Sequence, residues 1–250
     1  MKLLTFNNAK TTKGDSLGWR TAIMYLAPSN SSGIANTCRW ATHDCRALCL
    51  YNSGYASVYP SVNKARIERT KFMVKHTAEF IEQLCKEIEA HIRFCKKNKM
   101  KPCVRLNGTS DIYEQWHFDS VIQNFPEIQF YDYSKSIDRV LMWLNGYGPK
   151  NYHLTYSHAE GRLDESFTVL EKGGNVSVVF DTPRNKRLPK LWNGYTVLDG
   201  DKHDLRFLNP DMRYKLDKRA GLVIGLRAKG KARKKEAIPN TFINPTRNTK

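Results

Sequence analysis

Apolar residues return along this chain in two rhythms. From Val62 to Lys99 they come at three- and four-residue steps, with Phe80, Leu84, Ile88, Ile92 and Cys95 on one face, which predicts a long helix or two helices broken near His76. Elsewhere they gather in short runs: TAIMYLA (21–27), CVRLN (103–107), IQFYDY (128–133), YHLTYS (152–157), VSVVFD (176–181), YTVLD (195–199) and LVIGLRA (222–228). Weaker helical stretches fall near 111–123, 136–145 and 163–172, and irregular chain joins the last two runs. Strands alternating with helices predict an α/β fold with a parallel sheet.

Within the strands the pattern narrows the architecture. A parallel sheet covered by helices on both faces is apolar at nearly every position. Here Val104 and Leu106 alternate with Arg105 and Asn107, Leu154 and Tyr156 with His153, Thr155 and Ser157, and Val176, Val178 and Phe180 with Ser177 and Asp181. In the last run Leu222, Ile224 and Leu226 form the apolar set, with Arg227 and Lys229 beyond it. One face therefore suits packing under helices. The other suits the polar lumen of a full or partial (β/α) barrel.

Reactive groups in such folds sit at the carboxyl ends of strands. Those ends hold Arg105, Asn107 and Ser110 in VRLNGTSD, Asp132 and Lys135 in FYDYSK, Ser157, Asp181, Asp201, and Arg227 and Lys229 in LRAKG. Asp and Ser in such places commonly cap the next helix, and Asn-Gly is ordinary turn chemistry. Capping gives no reason for Lys and Arg to recur there. Read together, these ten residues predict a site for a small anionic or zwitterionic ligand: the cations face a carboxylate or phosphate, and the carboxylates face amines or hydroxyls.

The loop from Pro28 to Pro60 follows the first strand and carries Cys38, Cys45 and Cys49, spaced C-x6-C-x3-C. That order predicts the loop at the carboxyl end of the strands. Three thiolates in so short a span suit zinc or an iron-sulfur cluster. A structural zinc site takes four protein ligands, for which His43 is the nearby candidate; a four-iron cluster on three cysteines leaves one iron open to a small ligand. Cys85, Cys95 and Cys103 lie on the long helix and in a strand, where packing is the ordinary role.

With 250 residues, one domain over 1–236 with an extended basic tail at 237–250 is the default. The N-terminal residues show neither a cleavable signal nor a membrane-spanning run, so the expectation is a cytoplasmic protein with no membrane partner. In a reducing compartment the cysteines point to metal rather than disulfides. The formal charge of +17 keeps an alternative open: a module that binds nucleic acid or a host protein, with the metal loop, zinc or iron-sulfur, serving only structure and the basic run Lys231–Lys235 as its working surface.

The ordered motifs C-x6-C-x3-CLYNSG, NKARIERTKFM, VRLNGTSD, QFYDYSK, YHLTYS, VVFD, DGDKHDLR and GLRAKG resemble a bacteriophage-encoded family over nearly the whole chain. That resemblance implies a phage origin and the host cytoplasm. More distantly the layout resembles radical S-adenosylmethionine enzymes, although those usually space their cysteines C-x3-C-x2-C. This second resemblance implies a partial (β/α) barrel with a 4Fe-4S cluster on Cys38, Cys45 and Cys49, and S-adenosylmethionine as a candidate ligand of the open iron, which would make the protein an enzyme.

Overall fold

The computed structural model describes residues 1–6, 8, 11–52, 54–113, 117–210, 221–233 and 242–246. In chain order the elements are β1 (Leu4–Thr5), α1 (Thr12–Asp15), β2 (Trp19–Met24), α2 (His43–Ala47), α3 (Tyr55–Val58), α4 (Pro60–Lys75), α5 (Thr77–Lys97), β3 (Lys101–Arg105), α6 (Phe118–Gln123) and β4 (Gln129–Ser134). There follow α7 (Ile137–Leu144), β5 (Tyr152–Ser157), α8 (Leu163–Glu171), β6 (Asn175–Phe180), β7 (Leu191–Trp192), β8 (Tyr195–Asp199), β9 (Leu222–Arg227) and β10 (Ile243–Asn244). The long helical stretch is broken at His76, as its sequence predicts, and Phe80, Leu84, Ile88 and Cys95 of α5 are buried. The stretch read as helical from 111 begins its helix only at Phe118, and residues 114–116 lie outside the described residues.

The strands form one ten-stranded sheet in the order β1-β2-β3-β4-β5-β6-β9-β8-β7, with β10 added beside β6. Neighbours from β2 to β8 run parallel, and among the described residues only β1 and β7 are antiparallel. The sheet is open, with β1 and β7 at its edges; it is not a closed barrel. From β2 to β6 each strand is laid beside its predecessor. Because such crossovers are right-handed, their helices all fall on one face. Ala22, Val104, Phe130, Leu154, Val176 and Val178 on that face join Met73, Phe80, Val121, Val140 and Val169 of the helices in a single core.

The opposite face carries Thr21, Cys103, Arg105, Tyr131 and Tyr133, and the chain itself covers part of it. Leu205 packs on Cys103 and Tyr131, Phe207 meets the rings of Trp19 and Tyr131 at 4.8 and 5.6 Å, and Asp204 accepts from Arg105, Tyr131 and Tyr133. Register corrects one sequence expectation. Leu222, Ile224 and Leu226 pair with Asn175, Ser177 and Val179, so they share the polar face, while Val223, Gly225 and Arg227 share the helix face with Val176, Val178 and Phe180. Strand β9 lies inside the sheet, where Leu222, Val223 and Ile224 are all buried, so its alternation does not distinguish the two faces.

Candidate functional site

Parallel strands bring their carboxyl ends to one end of the sheet, and the loop after β2 is fastened there. The Ala27 amide donates to Thr70 Oγ1 of α4 at 2.9 Å, and the Thr37 hydroxyl donates to the Ala27 carbonyl. Cys38 forms a parallel bridge with Asp111 beyond β3, where the Asp111 amide donates to the Thr37 carbonyl at 2.8 Å. The Cys38 thiol reaches the Thr109 carbonyl at 3.6 Å, and the Thr109 hydroxyl donates to the Leu26 carbonyl.

Gly108 permits this approach. A Cβ there would lie 2.6 Å from the Tyr25 ring and 2.7 Å from the Met24 carbonyl oxygen, which also accepts the Gly108 amide at 3.0 Å. A backbone oxygen cannot yield as a side chain does. Gly108→Ala is therefore expected to cost about 1–3 kcal/mol, read as a lower urea midpoint at unchanged slope.

Cys45 lies in α2, a short helix held from the far side. The Thr42 hydroxyl donates to Glu160 Oε2 at 2.7 Å and the Asp44 amide to Glu160 Oε1 at 2.8 Å, so a carboxylate beyond β5 ties the helix N-terminus. Burial alone would raise the Glu160 pKa, but these two donors and others nearby hold it below the usual range. Cys49 follows α2, and its sulfur accepts the Tyr51 amide at 3.5 Å. Cys38 lies within reach of the charge of Cys45, and Cys45 within reach of that of Cys49. Burial raises all three thiols, Cys38 to about 12, so without a ligand they are protonated at neutral pH.

Two buried cations flank this loop. Lys135, just past β4, is 8% exposed, and its ammonium donates to the Ser157 carbonyl, the Ser157 hydroxyl and the His158 carbonyl at 3.0–3.1 Å. Arg66 of α4, also 8% exposed, lies over the rings of Tyr25 and Tyr51 at 5.2 and 5.3 Å and donates to the Tyr51 carbonyl. His43 turns away: its side chain is 77% exposed and meets Asp44 at 3.1 Å.

The other predicted residues fall into three settings. Asn107, Ser110 and Asp132 knit the turn after β3: Asp132 accepts the Asn107 amide and side chain, Asn107 Oδ1 accepts the Ser110 hydroxyl and the Ile112 amide, and all three residues are buried. Arg105, expected to meet a ligand anion, meets Asp204 at 3.0 Å instead. Asp181, Asp201, Arg227 and Lys229 lie at the ends of β6, β8 and β9, and the turn that follows Lys229 packs against the one that follows Cys49. There Arg227 pairs with Asp199 and Asp201, Lys229 reaches Asp201 at 2.7 Å, and Asp181 accepts the Thr246 amide at 2.8 Å. Lys231 and Arg233 are exposed, while Lys234 and Lys235 lie outside the described residues.

The sequence pattern left out Glu160 and Arg66 as site residues, and offered Asp111 only among the polar residues after β3 in VRLNGTSD. Asp111 accepts the Lys135 amide at 2.7 Å and pairs with Arg139 at 3.2 Å, so it joins the β3 and β4 ends beneath the cysteine loop. Arg66 had a signal in the motif NKARIERTKFM, where it shares the inward face of α4 with Thr70 and Met73. Glu160 had none, because its partners lie more than a hundred residues upstream.

Among the described residues no group of three or more His, Cys, Asp or Glu is placed to hold a metal ion, and no helix is long and apolar enough to cross a membrane. In comparisons with known proteins, the model of the family described as Gene product 88 matches residues 2–240. No curated protein and no solved structure matches.

Proposed function

This chain belongs to the Gene product 88 family, a phage-type family, and we propose that it is an iron-sulfur protein whose 4Fe-4S cluster is held by Cys38, Cys45 and Cys49. One observation carries the reading: one loop, bridged to the carboxyl end of β3, carries three half-buried thiols, with Cys45 neighbouring both Cys38 and Cys49. The donor set fits such a group. A four-iron cluster spreads its thiolates wider than a single ion does, so sulfurs that do not close on one ion remain suited to it. The outward turn of His43 disfavours a Cys3His zinc site. Sequential strands with helices on one face support a partial-barrel reading of the open sheet.

A cluster with three protein thiolates supplies an iron open to a small ligand and a one-electron redox centre. This chain's own residues hold and shield it. Glu160 fixes α2 and so aims Cys45, the backbone bridge to Asp111 places Cys38, and the Tyr51 amide donates to the Cys49 sulfur. In this reading S-adenosylmethionine is the candidate ligand. The Lys135 ammonium already donates to Ser157 and His158, and Arg105 is already neutralised by Asp204.

Anaerobic purification with iron and acid-labile sulfide analysis tests the proposal. Wild type is expected to hold iron and sulfide in equal amounts, about four of each, and its electron paramagnetic resonance spectrum is expected to change with S-adenosylmethionine. Cys45→Ser is expected to cut retention more than ~10-fold, since even partners outside the ligand shell cost about that much, while Cys85→Ser on α5 leaves it unchanged. A colourless wild-type protein carrying stoichiometric zinc would overturn the reading.

A further inference from the structure

Lys135 and Arg66 have a feature in common. Both are buried, and among the described residues neither forms an ion pair with a carboxylate. Lys135 donates only to neutral oxygens of Ser157 and His158, and Arg66 only to the Tyr51 carbonyl and Asn63 Oδ1. The carboxylates near Lys135 are engaged: Asp111 holds Arg139 and the Lys135 amide, and Glu160 holds the start of α2. Arg105 and Arg139 in the same interior are matched, by Asp204 and Asp111, whereas Arg206, beyond β8, donates to backbone carbonyls of its own turn. A buried cation is costly unless an anion accompanies it.

What the two share is the cysteine loop. Arg66 donates to the Tyr51 carbonyl while the Tyr51 amide donates to the Cys49 sulfur, and the Lys135 charge favours ionisation of both Cys45 and Cys49. The cations come from opposite sides, Arg66 from α4 and Lys135 from the end of β4. We infer that Lys135 and Arg66 are the counter-charges of an anionic thiolate centre, and that they favour its electron-rich, reduced form; this rests on the iron-sulfur reading above. The charges balance on that account. Three thiolates on an oxidised four-iron cluster leave one net negative charge, and one electron taken from an external one-electron reductant makes it two. Two fixed cations neutralise the second state fully, and net charge is one of the levers that set such potentials. Lys135 and Arg66 are thus positioning residues, acting through the centre and not on a substrate.

The test is a redox titration with dithionite, followed by electron paramagnetic resonance, on anaerobically purified full-length wild type, Lys135→Met, Lys135→Arg and Arg66→Met. Each Met variant is expected to reduce at a more negative potential than wild type, and Lys135→Arg to stay near it. A Met variant that folds, as judged by its melting curve, but loses iron that Lys135→Arg retains supports the same conclusion. Met variants that load fully and keep the wild-type midpoint overturn the inference while leaving the iron-sulfur reading intact. A wild-type protein without iron or sulfide overturns that reading first, and the inference with it.

Discussion

Asp204→Ala is expected to lower stability by about 3–5 kcal/mol, the usual cost of removing one partner from a buried ion pair. Asp204 is 1% exposed and accepts from Arg105 Nη1 at 3.0 Å, Tyr133 Oη at 3.0 Å and Tyr131 Oη at 3.3 Å. Its carboxylate, together with Leu205, holds the chain after β8 against the polar face of β3 and β4. Without it, Arg105 keeps Asp132 at 4.0 Å, too far to replace a direct charge-assisted hydrogen bond. Burial works against the charged Arg105 side chain, but Asp204, Tyr133, Tyr131 and Asp132 together outweigh it and raise the Arg105 pKa. Urea unfolding of Asp204→Ala, Arg105→Met and the double variant checks the argument. The double variant is expected to lose less than the sum of the two, because removing both charges leaves neither one stranded. A loss below about 1 kcal/mol for Asp204→Ala would show that this contact is not what holds the segment.

That segment marks the limit of what the sequence reveals. Strands, the helix break at His76 and the placement of the cysteine loop rest on local periodicity and chain order, and so can be read directly. The partner of Arg105 lies 99 residues away and leaves no periodic trace; the same holds for Glu160, which reaches back across 118 residues to Thr42. A polar strand face was legible, but whether a ligand or the protein's own carboxylate meets it is decided by tertiary folding. Alternation in β9 misled because a strand buried on both faces is apolar in both parities. The two-residue strands β7 and β10 are too short for any period to register. Of the ten ligand-binding candidates, Lys135 and Ser157 meet beside the cysteines. Asn107, Ser110 and Asp132 shape the turn that supports them, and Asp181, Asp201, Arg227 and Lys229 satisfy one another or their neighbours at the other strand ends.

Mild acid is expected to unfold the protein through two buried histidines. His91 of α5 and His158 beyond β5 are 2% and 6% exposed, and burial lowers each pKa to about 4, with the Lys135 charge adding to the effect at His158. The ordinary value is 6.5, so between these limits the unfolded chain takes up a proton that the folded chain refuses. Each histidine therefore contributes fully above about pH 6.5, and its contribution falls as the pH drops toward 4, by about 2–3 kcal/mol each at pH 4.5. The site is drawn into this loss, because the His158 carbonyl is an acceptor of the Lys135 ammonium, and a charged imidazole beside that cation opposes the arrangement. Urea unfolding at pH 7.5, 6.0 and 4.5 is expected to show the decline, and His91→Gln and His158→Gln to flatten it separately. A wild-type stability constant to within about 1 kcal/mol across that range would mean that both imidazoles gain protons in the folded state as readily as in the unfolded one.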